Sequence, residues 1–408
     1  MIKKIIIQDF FSFKGKNEIE LNNGVNILLG INGSGKTSFL NAFKLLYEGV
    51  CGTKNENSGP FEELFQKQWG GFNEVANVNQ TKASTIQLTY VFDYKVLKKI
   101  NPSSPFETDV CYSIMISPFG ATRYVINETL YTNNLGKKDK AFYYLKFSNG
   151  SGRISERGDD GSINFGQKDS DLSGQELVLS QITNPLRYLP SHTIRKAIEN
   201  MSIYSHFDTS AKSQLRKPNN EFGNTVKLSK DGDNLVQLLN YIKNNQTTVY
   251  DKIEKKLTTI NSNYKSIEFS YFGSQLYLLL REKQLDKTIG ALHLSDGTLR
   301  YLLLMTILYN PNKGFFVGID EPECGLHPDM IKSICTMIKE AEDSQIIIAT
   351  HSPLLLNHFE LENVLVFEKN EQNEAKVNKF CENDFPDWEG EFLVGQMWLR
   401  GLIGGKRW

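Results

Sequence analysis

The stretch of sequence that decides the fold is Gly30-Ile31-Asn32-Gly33-Ser34-Gly35-Lys36-Thr37. It fits the pattern G-x-x-x-x-G-K-[ST] at every fixed position. The apolar run at 25–29 is typical of a buried strand, and the apolar positions within 38–48 predict a helix that ends at Gly49. A strand, a glycine-rich loop and a helix in this order are the context in which the pattern binds phosphate.

The chemistry of this loop points to a nucleotide and a magnesium ion. Glycines let backbone N–H groups close around a phosphate, and the helix N-terminus contributes its positive end. The Lys36 side chain is expected to reach the outer phosphates, and the Thr37 hydroxyl is expected to ligate Mg²⁺. The residues predicted to bind the nucleotide here are Asn32, Gly33, Ser34, Gly35, Lys36, Thr37 and Ser38.

A second motif places two carboxylates at the end of an apolar run. Residues 316–319 predict a buried strand, and Asp320 and Glu321 follow it directly. Because Mg²⁺ prefers oxygen ligands, Asp320 is expected to share the ion with Thr37. Glu321 is expected to orient and deprotonate the water that attacks the γ-phosphate. Taken alone, the motif fits an exposed acidic pair at a strand end equally well.

Two further motifs carry candidate nucleotide contacts. Ser295 and Gly297 stand at the start of a predicted buried helix, where a tight turn and a helix N-terminus can bind phosphate. Ser295 or Asp296 can also cap that helix, and both interpretations can hold together. His351 follows the apolar run 346–349 and is a candidate hydrogen-bond partner of the γ-phosphate. A single histidine at a strand end is more often structural, so this motif too leaves an alternative open.

The composition of the chain restricts the classes of protein to which it can belong. The chain has 408 residues and a net charge of −1, which excludes a global electrostatic footprint for nucleic acid. Short lysine runs leave a local basic surface open, although a solvated face or loop is the favoured interpretation. Those runs are Lys95, Lys98 and Lys99, and Lys137, Lys138 and Lys140. The five cysteines are scattered without a C-x-x-C pair, and no run of 18 apolar residues occurs, so a cytoplasmic protein is expected.

The chain divides into three predicted segments. Residues 1–171 are predicted to form an N-terminal lobe that contains the P-loop. This lobe also contains an antiparallel β subdomain, which is predicted because apolar and polar residues alternate along its strands. Residues 172–290 form a mainly helical insertion that ends in a β-hairpin over 267–281. Residues 291–408 form a C-terminal lobe, where strands alternate with helices and imply a parallel sheet. The polar, aperiodic residues 50–82 predict a long surface loop.

The order of the motifs resembles the ATP-binding-cassette class of ATPases. The aromatic turn "FFSF" and the stretch "LLGINGSGKTSFL" resemble the RecF/SMC-like branch of that class. "LSDGTLRYLLL", "IDEPECGLHPDM" and "IIIATHSPLLL" resemble the signature, the Walker B motif with its D-loop, and the switch segment of stand-alone RecF/SMC-like predicted AAA-family ATPases of bacteria. The fold class that this resemblance implies is an α/β P-loop NTPase of ABC-ATPase type. It would be two-lobed, with an antiparallel β subdomain and a helical insertion.

The resemblance implies a homodimer that holds ATP between the P-loop of one subunit and the signature of the other. Ser295 and Gly297 would then complete the partner's site, and residues 325–327 would form the D-loop across the interface. His351 would be the switch histidine. The signature departs from the transporter pattern, which has Gly-Gly-Gln where this chain has Asp296-Gly297-Thr298.

Three assignments within the resemblance stay open. The glutamine that usually connects the nucleotide with the lever arm has two candidates, Gln87 and Gln181. Phe13 and Lys14 are candidates for contact with the base or the phosphates, and packing in a sheet or exposure to solvent is the alternative. Assemblies larger than a dimer are compatible with the sequence.

The function that follows is a Mg²⁺-dependent ATPase switch, with Glu321, His351 and Lys36 as its catalytic residues. By analogy with the family, it would regulate DNA or a separately encoded effector such as a nuclease or toxin, in phage defence or DNA repair. Alternatives are a nucleotide-binding scaffold or DNA clamp with little turnover, a self-contained nuclease, a DNA tether of the true SMC type and a transporter subunit. The complete set of Lys36, Thr37, Asp320 and Glu321 favours hydrolysis over the scaffold.

Overall fold

The computed structural model describes most of the chain, in ten ranges separated by short gaps. The described ranges are 1–55, 58–79, 85–120, 123–133, 141–158, 161–168, 172–220, 225–341, 343–385 and 392–404. The strands within them are β1 (Ile2–Phe10), β2 (Phe13–Glu20), β3 (Val25–Leu29), β4 (Ile86–Phe92), β5 (Val110–Phe119), β6 (Arg123–Asn133), β7 (Ala141–Ser148), β8 (Ser151–Arg157), β9 (Ile163–Lys168), β10 (Met201–Tyr204), β11 (Asn219–Asn220), β12 (Tyr264–Phe272), β13 (Gln275–Glu282), β14 (Ile289–Gly290), β15 (Phe316–Asp320), β16 (Gln345–Thr350), β17 (Val364–Lys369) and β18 (Ala375–Lys379).

Helices connect these strands and cover both faces of the six-stranded sheet described below. The α-helices are α1 (Lys36–Cys51), α2 (Pro60–Glu62), α3 (Phe72–Val75), α4 (Tyr94–Ile100), α5 (Val178–Gln181), α6 (Leu189–Glu199), α7 (Leu235–Asn245), α8 (Thr247–Ile260), α9 (Asp296–Tyr309), α10 (Pro328–Glu340), α11 (Pro353–Leu356) and α12 (Val394–Leu399). A π-helical turn spans Glu63–Gln68, and short 3₁₀ turns lie at Gln214–Arg216, Ala291–His293, Leu361–Asn363 and Glu382–Asp384. In the described part of the chain, no helix combines the length and the apolar character that crossing a membrane requires.

An eight-stranded sheet has the order β2-β1-β4-β5-β6-β7-β8-β9, and every neighbouring pair is antiparallel. Within β6, buried side chains alternate with half-buried ones, because one face of the strand packs on the core. The predicted antiparallel sheet is therefore confirmed.

A six-stranded sheet has the order β10-β15-β16-β3-β17-β18. Every pair is parallel except β17 with β18, so the parallel sheet predicted for the C-terminal third is confirmed. The P-loop strand β3 lies inside this sheet, between β16 and β17. Because parallel strands end at the same edge, the residues after β3, β10, β15 and β16 meet along one edge of the sheet.

Helix α1 lies between the two sheets. The Tyr90 hydroxyl of β4 donates to the Ala42 carbonyl at 2.6 Å. The Phe43 ring lies 6.0 Å from the ring of Tyr90 and 4.8 Å from that of Phe316 on β15. Helix α1, which follows the P-loop, therefore packs on the antiparallel sheet on one side and on the parallel sheet on the other.

The surface loop predicted for residues 50–82 is wrong for the described residues of that stretch. Helices α2 and α3 and the π-helical turn occupy it, and Phe61 and Phe65 are fully buried. Their rings stack at 5.3 Å and contact Tyr124 of the antiparallel sheet. The periodicity was invisible because the helical pieces are too short to repeat an apolar face.

The segment 172–290 contains helices α5–α8 and also strands β10–β14. The predicted hairpin is confirmed, since β12 and β13 pair antiparallel from Tyr264 with Glu282 to Phe272 with Gln275. Strand β10 does not stay within this segment but joins the parallel sheet beside β15. The division of the chain at 171 and 290 stays a prediction.

Candidate active site

The P-loop has the backbone conformation that its glycines allow. Gly33 has φ 78° and Gly35 has φ 112°, in the left-handed region that L side chains rarely adopt. Gly30 permits a close approach, because a Cβ there would lie 2.5 Å from the Phe367 carbonyl oxygen. Helix α1 begins directly afterwards at Lys36, so the loop ends on a helix N-terminus.

Lys36 is buried inside the loop. Its Nζ donates to the carbonyls of Gly30 at 2.6 Å and Ile31 at 3.0 Å. Burial lowers the pKa of Lys36, whereas the nearby carboxylates of Asp320 and Glu321 act in the opposite direction. The ammonium group is thus held close to the carboxylates at the ends of the neighbouring strands.

Thr37 and Asp320 lie together although they are far apart in sequence. The Thr37 hydroxyl donates to Asp320 Oδ2 at 3.4 Å, a contact that spans two strands of the parallel sheet. Burial and the charge of Glu321 raise the pKa of Asp320 to about 6, opposed by Lys36 and by the hydrogen bond from Thr37. A hydroxyl next to a carboxylate is an oxygen pair of the kind that Mg²⁺ prefers.

Glu321 stands in a strained backbone conformation at the end of β15. Its φ is +45°, which is rare for a residue with a side chain, and its N–H donates to the Ala349 carbonyl of β16 at 2.8 Å. His351 Nδ1 lies 3.1 Å from Glu321 Oε1. The edge of the parallel sheet therefore brings together Lys36, Thr37, Asp320, Glu321 and His351.

Glu323 is a site residue that the sequence interpretation missed. Its buried Oε1 accepts hydrogen bonds from the Thr350 hydroxyl at 2.5 Å and from the His351 N–H at 3.2 Å. This carboxylate therefore fixes the segment that carries His351. The signal in the sequence was a third acidic residue only two positions after Glu321.

Ser295 caps the helix that the signature begins. Its Oγ accepts from the Thr298 N–H at 3.1 Å, so the capping interpretation is supported. Ser295 and Asp296 are exposed, as are Cys324 and Gly325 of the segment after Walker B. These two segments are adjacent, because a Cβ on Gly297 would lie 2.9 Å from the Gly325 carbonyl oxygen. Among the described contacts, none joins Ser295 or Gly297 to the P-loop of the same chain.

The P-loop fits a phosphate group on its own geometry. Ser34 Oγ is buried and has no hydrogen-bond partner among the described residues. The left-handed Gly33 and Gly35 leave the backbone free of side-chain bulk on either side of it. An unpartnered hydroxyl between two glycines and beside a helix N-terminus fits a phosphate, whose oxygens accept hydrogen bonds.

A family model described as "AAA domain, putative AbiEii toxin, Type IV TA system" matches residues 104–357, more than half of the chain. The chain belongs to this family. The matched range contains Asp320, Glu321 and His351, and the P-loop lies ahead of it. A comparison with curated protein sequences gave no match.

Similar solved structures are SMC heads. The crystal structure of an SmcHead bound to the C-winged helix domain of ScpA has a TM-score of 0.57 and 13% identity, and the alignment covers 94% of this chain and 99% of that chain. A Smc head domain with an extended coiled coil, bound to the C-terminal domain of ScpA derived from Pyrococcus furiosus, has a TM-score of 0.55 and 11% identity, with 96% and 98% coverage. At such identities the likeness shows the fold alone. The AAA-family, SMC-like resemblance and the α/β P-loop fold are thereby confirmed, and the chain is a P-loop NTPase of the AAA-domain family.

Several residues assigned from the family resemblance have other contacts in this AAA-domain chain. Phe13 is fully buried against Phe367, with ring centroids 6.4 Å apart, as the sheet-packing alternative expected. The Lys14 ammonium pairs with Glu374 at 2.9 Å. The amide of Gln87 lies near Thr89 and Ser113, and that of Gln181 donates to Ser173 and Glu176 carbonyls. These contacts connect neither glutamine with the P-loop.

The remaining predicted positions lie at the surface or outside the described residues. His327 caps α10, where its Nδ1 accepts from the Asp329 N–H at 3.3 Å. Lys95 and Lys99 are exposed on α4, and Lys98 pairs with Glu107. Lys137, Lys138 and Lys140 lie outside the described residues.

Proposed function

We propose that this chain is a Mg²⁺-dependent ATPase whose hydrolysis is carried out at the edge where β3, β15 and β16 end. The observation that carries the proposal is the convergence of Thr37, Asp320, Glu321 and His351 there. Bound ATP with Mg²⁺ supplies the electrophilic γ-phosphate and the charge neutralisation. The residues of the chain bind and orient these groups and accept the proton of the water.

Each residue has a role that its contacts support. With ATP and Mg²⁺ bound, the P-loop N–H groups and Lys36 would hold the phosphates, and Thr37 with Asp320 would hold the metal. Glu321 would accept the proton of the attacking water, and His351, whose backbone N–H donates to Glu323, would hydrogen-bond the γ-phosphate. The Glu321 backbone is tied to Ala349 and its carboxylate contacts His351, so the base would be oriented before the nucleotide binds.

We infer that ATP drives formation of a homodimer. The signature helix begins with an exposed Ser295, and the exposed Gly325 stands next to Gly297. Two copies related by a two-fold axis would each place this surface on the partner's bound nucleotide. Association linked to ATP binding and dissociation linked to hydrolysis would make the protein a switch.

The test is the variant Glu321→Gln, which keeps the shape of the side chain and removes its basicity. We expect normal ATP binding, hydrolysis reduced by about 100-fold or more, and a dimer that persists with ATP and Mg²⁺. Glu362→Gln, at an exposed glutamate far along the chain, is the matched control. Light scattering and phosphate release are measured on the same samples. Hydrolysis at the wild-type rate in Glu321→Gln would refute the catalytic assignment.

A scaffold that binds nucleotide with little turnover is the alternative that the same experiment addresses. If the wild-type protein binds ATP and dimerises but releases no phosphate above the level of Glu321→Gln, the scaffold is correct. The strained Glu321 and its contact with His351 favour turnover, because a scaffold has no need to hold a base in place.

We further propose that the dimer acts on a separately encoded protein effector. The support is that both similar SMC heads were solved with a bound domain of another protein, ScpA. Purification of Glu321→Gln from the native host with ATP and Mg²⁺ tests this proposal. A stoichiometric protein that is lost from a Lys36→Ala sample supports it, and bound DNA without a protein supports a clamp instead.

A further inference from the structure

A single buried guanidinium joins the signature to a distant part of the chain. The Arg216 side chain is 6% exposed and lies in the 3₁₀ turn after residue 213. Its acceptors are the carbonyls of Thr209, Ser210, Ala291, Leu292 and Leu294 and the carboxylate of Asp296. Three of these carbonyls and the carboxylate belong to residues 291–296, which lead into the signature helix.

The segment that carries Arg216 begins at the catalytic edge. Strand β10 pairs in parallel with β15, and Tyr204 stands opposite Ile319. Residues 205–207 therefore follow β10 next to Asp320 and Glu321, and they line one cleft of about 70 Å³ with those two carboxylates. We call residues 205–216 the connector. It runs from the Walker B carboxylates to the guanidinium that holds the signature.

A second arginine, Arg300, contacts both the connector and the segment after Walker B. Arg300 of the signature helix donates to the Phe207 carbonyl of the connector at 3.2 Å. It also donates to the Cys324 carbonyl, three residues after Glu321, at 2.7 Å. The connector, the signature helix and the segment after Walker B are thus cross-linked by two guanidinium groups.

The chemistry of Arg216 suits a positioning role. Its planar group offers five donors in a fixed geometry, which no other side chain can reproduce. The carbonyls of Ala291, Leu292 and Leu294 lie in or just after a single 3₁₀ turn, where one backbone hydrogen bond, from the Leu294 N–H to the Ala291 carbonyl, adds to the contacts from Arg216. Removal of the guanidinium would leave these acceptors to find other partners and would free the loop to move.

We propose that Arg216 positions the signature, from Leu294 to Gly297, for contact with the nucleotide of a second subunit. The proposal rests on the ATP-driven dimer described under Proposed function. None of the described Arg216 contacts involves the P-loop of its own chain, so we expect Arg216 to leave nucleotide binding by the isolated subunit unchanged. We expect the loss of Arg216 to weaken only the composite site, which is the ATP site formed by the P-loop of one subunit and the signature of the other.

The experiment compares Arg216→Lys and Arg216→Met in the Glu321→Gln background. ATP affinity is measured on subunits too dilute to dimerise, and dimer dissociation is measured by analytical ultracentrifugation with ATP and Mg²⁺. We expect unchanged ATP affinity and a dimer weakened by about tenfold or more, since a charge-assisted hydrogen bond is worth that much. Lysine keeps the charge but cannot reach all the carbonyls, so Arg216→Lys should weaken the dimer almost as much as Arg216→Met does. The control is Arg281→Met, which removes an arginine that makes two contacts with Glu268 on the hairpin, away from the signature.

A second variant covers the case in which Arg216→Met does not fold. The Asp296 side chain is 67% exposed, so Asp296→Asn keeps the helix cap and removes only the charge opposite Arg216. A double-mutant cycle between Asp296→Asn and Arg216→Lys should show coupling in dimer dissociation and none in ATP affinity. Wild-type dimerisation in both variants, or additive effects in the cycle, would overturn the proposal. Absence of an ATP-dependent dimer in Glu321→Gln itself would instead refute the proposed function.

Discussion

The protonation of Glu128 is expected to change the stability of the protein near neutral pH. Glu128 lies on β6 and is only 1% exposed. The Tyr112 hydroxyl donates to its Oε1 at 2.6 Å, and the Val178 N–H donates to its Oε2 at 2.5 Å. Burial raises the pKa of Glu128 from 4.5 to about 7, although both hydrogen bonds favour the charged form.

The sign and size of the effect follow from these two pKa values. Between pH 4.5 and 7 the folded protein binds more protons at Glu128 than the unfolded chain does. The free energy of unfolding therefore decreases as pH rises through this window, and the stabilisation present at low pH is lost above pH 7. The full difference between the two pKa values corresponds to about 3 kcal/mol.

The assay is urea unfolding at pH 5 and pH 8 for the wild type and Glu128→Gln. Glutamine resembles the protonated acid, because it is neutral and offers one donor and one acceptor to Tyr112 and Val178. We expect stabilities within about 1 kcal/mol of each other at pH 5 and a variant more stable by up to about 3 kcal/mol at pH 8. Glu20→Gln, on an exposed part of β2, controls for the loss of a charge. Identical pH dependence in the wild type and Glu128→Gln would refute the reasoning.

Two further predictions concern the nucleotide. Lys36→Ala should reduce ATP affinity by about tenfold or more, because the phosphates lose a buried charge-assisted contact. Calorimetry against Lys44→Ala on the same helix checks this, and equal affinities would contradict the assignment. Ser295→Arg should leave ATP binding by the isolated subunit intact and abolish the dimer, since a long cation would occupy the composite site. Light scattering of Ser295→Arg with ATP checks this, and a persistent dimer would contradict the composite site.

Local sequence was sufficient where the chemistry and the contacts are local. The P-loop needs a strand, two glycines that can adopt positive φ and a helix start, and all of these lie within residues 25–51. The capping by Ser295 spans three residues. The long alternating run of β6 also predicted its strand, because every second side chain packs on the core.

Features that depend on burial between distant segments could not be predicted. The aromatic cluster of Phe61 and Phe65 looks like part of a polar loop until Tyr124 is brought against it. Glu323 looks like one more acidic residue until β16 places Thr350 and His351 beside it. In each case the deciding partner comes from another strand, and no local period encodes that pairing.

The sequence by itself determined the P-loop, the Asp320–Glu321 pair and the kinds of strand and helix around them. Only the tertiary structure decided that β10 joins β15 and that β3 lies between β16 and β17. That strand order brings Thr37 within 3.4 Å of Asp320 and places Arg216 against the signature. The physical reason is that hydrogen bonds between strands are made by the backbone, which is the same for every residue. The choice of neighbour therefore depends on how all the apolar faces are buried together.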